Sequence, residues 1–278
     1  MKTPKAPSAF EKYIQETIDE GIHYLRSHGW LDETSGAPDI AKIPGLEEAP
    51  DVHLSVEAWA AVHRTWWNAP AHEYRGNRTA ASIWYELGQY EWRGGRTFPS
   101  ITAEIPELGQ REAAAVSQLP AAICADRVGN TQRARDLYGW AAGNYLLTEE
   151  EIRWFADTHQ LQAIWEALPM RAYAFVCLEA WVEALAAAET AEYWANKHRR
   201  AQTSEAYQVQ LQLIPALLAL ARFKLEPTAE NRQAAQAKLS LKAIGGRNYS
   251  ERLICYFYWY NLRAKFGPEL LAEDQDRE

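Results

Sequence analysis

The chain has 278 residues, 47% hydrophobic and 24% charged, which is enough apolar material to bury a core without a disulfide or a metal. Its formal charge of −8 argues against nucleic acid and anionic membrane as partners, because both reward clustered Lys and Arg. The same charge either speeds the approach of a basic protein partner or merely keeps the chain in solution.

In chain order, Met1 to Pro7 carries charge but no apolar run behind it, unlike a secretory signal. No run of about 18 apolar residues predicts a membrane span. The first helix opens on a capping box, Ser8 with Glu11 three residues on, and places Phe10, Ile14, Ile18, Ile22 and Leu25 on one stripe before stopping near Gly29. Residues 30–54 then read as a long acidic loop punctuated by Gly36, Pro38, Pro44, Gly45 and Pro50. Asp32, Glu33, Asp39, Glu47, Glu48 and Asp51 face Lys42 alone there, six acids less one base for a net −5. A loop of that length is either functional or simply solvated surface.

A second helix is expected over roughly 55–68, capped by Ser55, with Val56, Trp59, Val62 and Trp66 inward. A third runs from about Thr79 to Arg93 on Ile83, Trp84, Leu87 and Tyr90, and Gly94-Gly95 ends it. No stretch shows a convincing period of two; Thr97 to Ile105 is short enough to be extended, but Pro99 and Pro106 bracket it. Further helices are expected near 108–128, 131–147, 149–166, 170–188, 190–201, 204–225, 228–243 and 249–266, with a second capping box at Thr148–Glu151. Tyr256-Phe-Tyr-Trp-Tyr260 is aromatic all round its helix, which fits either a central core position or a second interface. The acidic tail 269–278 reads as frayed. Cys124, Cys177 and Cys255 are dispersed in apolar segments, the pattern of buried free thiols in a reducing compartment, so the expected location is the cytoplasm.

The period of 3.6 predicts an all-α fold over a single domain, 1–278, built as an irregular array of antiparallel helices with no significant sheet. Trp84-Tyr-Glu-Leu87-Gly88-Gln-Tyr90 nearly matches the opening of a tetratricopeptide repeat, and Ala134, Leu137, Tyr138 and Ala141 show the small-large alternation of such hairpins. No fixed 34-residue spacing accompanies them, so the array is at most a degenerate version.

Chemistry is sparse. The histidines are His23, His28, His53, His63, His72, His159 and His198, and only Glu20-Gly-Ile-His23 has a ligand spacing. A di-metal bundle needs a second copy of that motif, and none exists, so no metal is expected. Zinc-type cysteine pairs, phosphate-binding glycine loops and nucleophile elbows are missing as well, so no cofactor and no catalytic residue is expected. Glu179 and Glu183, at i and i+4 in an apolar sequence where burial would raise their pKa, are the material for a rival reading as a helical hydrolase. Glu189 and Glu192 form a similar pair, and such pairs are commonplace on helices.

Three stretches resemble the immunity protein 49 family, all-helical proteins encoded beside bacterial polymorphic toxins. They are Leu119-Pro-Ala-Ala-Ile-Cys-Ala-Asp-Arg127 with Arg135 and Leu137, then Leu185-Ala-Ala-Ala-Glu-Thr-Ala-Glu-Tyr-Trp194 with His198 and Arg199, and Ile214-Pro-Ala-Leu-Leu-Ala-Leu-Ala221. Together they lie between about 115 and 225. The resemblance implies a binding protein that neutralises a cognate toxin by protein–protein contact, with no catalytic residue. The toxin is expected to be basic and to act in the cytoplasm. A general tetratricopeptide-like scaffold is the alternative binding function. The residues expected to meet the partner are Asp32, Glu33, Glu47, Glu48 and Asp51, with Trp66 and Trp67 as aromatic anchors.

Overall fold

The computed structural model describes residues 7–47, 54–91, 106–158, 161–197, 208–240 and 248–270. The described residues are 80% helical against about one third for an ordinary domain, so the fold is all-α.

Helix α1 (Ala9–Ser27) begins on the expected box: Ser8 Oγ accepts from the Glu11 amide and the Glu11 carboxylate accepts from the Ser8 amide. Gly29, at φ +73°, turns the chain out of it. The segment after Gly29 is more ordered than a loop. Leu31–Asp32 (β1) pairs antiparallel with Ala37–Pro38 (β2) around Gly36, and one 3-10 turn covers Ile40–Lys42. Leu31, Ala37, Pro38, Ile43, Leu46 and Leu54 are buried. The reading of 30–54 as a solvated loop therefore needs correction across its described part. Apolar residues spaced between the acids pin the backbone, while Glu33 and Glu47 stay exposed.

The predicted second helix is two. α2 (Val56–His63) is capped by Ser55, the chain bends at Arg64, and α3 (Thr65–Tyr74) continues through Pro70. α4 (Arg78–Gly88) is capped by Asn77, and β2 packs against it. The remaining helices are α5 (Pro106–Arg127), α6 (Thr131–Asn144), α7 (Glu149–Asp157), α8 (Leu161–Cys177), α9 (Trp181–Lys197), α10 (Gln208–Leu225), α11 (Ala229–Leu239) and α12 (Tyr249–Leu270). The capping box at Thr148 starts α7. The breaks fall after Asp157 and at Glu179, which adopts φ +61°, and the helix runs straight through Pro169.

Consecutive helices pack on one another, α5 on α6, α8 on α9, α9 on α10 and α10 on α11. Three-residue links at 128–130 and 178–180 make the first two of these pairs tight antiparallel hairpins. α12 then crosses back and touches α3, α5, α10 and α11. Its Tyr256, Phe257, Tyr258 and Trp259 are all buried, so the aromatic run is core. α12 also reaches Leu270, which is buried, so residues 269–270 belong to the helix and not to a frayed tail. Residues 97–105 and 271–278 lie outside those described.

Candidate functional site

α1 meets α3 where Gly21 faces Asn68. A Cβ on Gly21 would stand 2.8 Å from the Asn68 Cγ, so only glycine lets the amide lie flush on the helix. Beside this contact opens a cleft of about 330 Å³ lined by Tyr13, Thr17, Glu20, Gly21, His63, Arg64, Trp67 and Asn68. Side chains from both walls are fixed by their neighbours. Asn68 is 3% exposed; its Nδ2 donates to the Arg64 carbonyl at 3.1 Å, while its Oδ1 has no hydrogen-bond partner. Arg64 lies over the Tyr24 ring, 3.8 Å from its centroid, with Nη1 donating to the Ala60 carbonyl. Trp67 is anchored by its Nε1, which donates to Ser250 Oγ at 3.2 Å.

His63 ends α2 and is held on two sides. Its Nδ1 is 2.7 Å from Glu91 Oε1, and its ring stacks on Trp59 at 4.8 Å. Glu91 is buried and its second oxygen has no hydrogen-bond partner. In the neutral tautomer that donates Nδ1–H to Glu91, Nε2 is left as an acceptor. Sequence reasoning misses this pair, because the histidine and the carboxylate are 28 residues apart and belong to no motif. The one signal that could have found it is the clustering of Trp59, Trp66 and Trp67 around His63.

The residues expected to meet a partner are distributed unevenly. The Asp32 carboxylate accepts from Ser35 Oγ at 2.7 Å and from the Thr34 amide at 3.0 Å, bonds that hold its pKa below the ordinary carboxylate value. Glu33 accepts from Nε and Nη2 of Arg26, and that hydrogen bonding lowers its pKa too. Asp39 pairs with Lys42. Glu47 is exposed. Glu48 and Asp51 lie outside the described residues. Trp66 faces inward, stacked on Phe257 at 5.7 Å and edge-on to Tyr258, whereas Trp67 lines the cleft. The two tryptophans thus serve different places.

Glu179 and Glu183 do not form the buried pair the sequence offered. Glu179 is the left-handed residue after α8, Glu183 sits in the first turn of α9, and both are exposed. Among the described residues no group of three His, Cys, Asp or Glu side chains is placed to hold a metal. The three cysteines are free and buried, and burial pushes the Cys177 and Cys255 thiols up to about 12. No described helix is long and apolar enough to cross a membrane. Compared with protein-family models, curated proteins and solved structures, the chain matches none.

Proposed function

We propose that the chain is a binding protein that neutralises a cognate, basic toxin acting in the cytoplasm, through contact between the two proteins. The observation that carries this reading is the pinned acidic segment after α1. Of its described carboxylates Glu33 and Glu47 are exposed, on a backbone anchored by Leu31, Ile43 and Leu46, so they present charge from a backbone that need not be ordered on binding. The resemblance of the 115–225 region to immunity proteins supports the same reading. Within the segment the weight shifts toward Glu47, because Asp32, Glu33 and Asp39 are already engaged locally.

The test is coexpression with the product of the reading frame adjoining the gene. The expected result is a stoichiometric complex and relief of that product's toxicity. Glu47→Lys should slow association and flatten its salt dependence, because exposed charges act mainly on the association rate. The melting temperature should not move. No complex, or an association rate and salt slope that ignore the charge reversal, would overturn the reading.

A further inference from the structure

The cleft between α1 and α2–α3 poses a question that toxin binding does not answer. It is lined by one acid, Glu20, and one guanidinium, Arg64, yet no ion pair joins them. Glu20 has no hydrogen-bond or ion-pair partner among the described residues, and Arg64 has no acidic one. Stacking on Tyr24 and the bond to the Ala60 carbonyl fix Arg64 on the α2–α3 wall, while Glu20 belongs to the rim of α1. A recess with a guanidinium fixed on one wall and an exposed carboxylate on its rim is complementary to a guest that carries both charges.

We propose that this cleft binds a small zwitterion, an α-amino acid with an apolar or aromatic side chain. The guest carboxylate lies against the Nη2 and Nε edge of Arg64, which the bond from Nη1 to Ala60 leaves free for a two-point contact. The guest ammonium donates to Glu20. The Tyr13 and Trp67 rings supply the wall for an apolar side chain, and Trp67 cannot swing away while Ser250 holds its indole N–H. Size agrees as well. At about 30 Å³ for a water-sized group, the 330 Å³ recess takes roughly ten non-hydrogen atoms, the bulk of leucine or phenylalanine. The bond between Nδ1 and the Glu91 carboxylate behind it keeps the His63 imidazole from rotating in the cleft wall.

The experiment is a thermal-shift and calorimetric titration of the whole chain with the twenty L-amino acids, each to about 10 mM, a range that reaches weak binders. Ligand that binds the native state alone raises the melting temperature, and the expected responders are those with apolar or aromatic side chains. The N-acetyl and the carboxamide derivatives of the best responder should each bind at least about tenfold more weakly, and so should the parent compound to Glu20→Gln and to Arg64→Gln. The derivatives test both charges on the unaltered protein, so the result does not depend on how the variants fold. No response from any amino acid overturns the proposal, and so does a response that both blocked derivatives reproduce. Because no toxin is present, neither outcome bears on the toxin-binding reading.

Discussion

At His72 burial sets a charge state. The side chain is 4% exposed on α3, its Nε2 has no hydrogen-bond partner, and burial lowers its pKa to about 4. The unfolded chain protonates the same imidazole near its ordinary value of about 6.5. Between those two values the unfolded state therefore holds more protons, so stability is complete above pH 6.5 and falls as pH drops toward 4. From pH 7.5 to pH 5 this one residue should remove about 2 kcal/mol. Urea unfolding at both pH values should show His72→Phe losing that much less than the parent protein. An equal loss in the two would mean that the histidine is hydrated in the native state. Nothing in the sequence separates His72 from the other six histidines, since desolvation belongs to the packed helix and not to a motif.

Among the elements, those whose ends carry their own signal were legible. Ser8–Glu11 and Thr148–Glu151 start α1 and α7 as capping boxes, Ser55 caps α2, and Gly29 and Gly129 end α1 and α5 in the left-handed region. The misplaced boundaries trace to proline and to Glu179. Pro70, Pro120, Pro169, Pro215 and Pro268 all sit inside helices, where proline costs a hydrogen bond and about 3 kcal/mol. Buried neighbours such as Leu168 and Met170 around Pro169 keep the segment helical in spite of that cost. The real break comes at Glu179, a residue type that ordinarily avoids positive φ. Contacts between elements were equally hidden, and the Gly21–Asn68 contact is one of them. Gly21→Ala should push α1 off α3 or turn the Asn68 amide, at about 1–3 kcal/mol. Asn68→Ala removes the obstacle, so the double variant should recover most of that loss in a denaturant-melt cycle. Strict additivity of the two changes would show that the helices do not touch there.

Across the whole molecule, the all-α class rests on a 3.6 period that almost every segment shares, but the way α12 closes the array has no such signature. That helix unites early and late parts of the chain through contacts at long separation, such as Phe257 on Trp66 and Asn261 Nδ2 donating to Tyr138 and Tyr173 hydroxyls. The site was least legible for the same reason: Glu20, the neighbours His63 and Arg64, and Glu91 come from three separate stretches of chain and share no motif spacing. One largely buried pair shows how tightly this closure is specified. Arg127, the last residue of α5, pairs with Glu73 of α3, donates to the Tyr260 carbonyl of α12 at 3.2 Å and lies over the ring of Tyr85 on α4. The Tyr85 hydroxyl in turn donates to the other Glu73 oxygen at 2.9 Å. Four helices therefore meet on one ion pair whose side chains are 16% and 18% exposed. Removing one partner leaves the other charge buried, at a cost of about 3–5 kcal/mol, whereas replacing both with apolar groups of similar volume is often close to neutral. Arg127→Met should accordingly lower stability by that amount, and Arg127→Met with Glu73→Leu should restore a large part of it. If the single variant melts like the parent protein in urea, then water reaches the pair and the four helices are held by their apolar contacts alone.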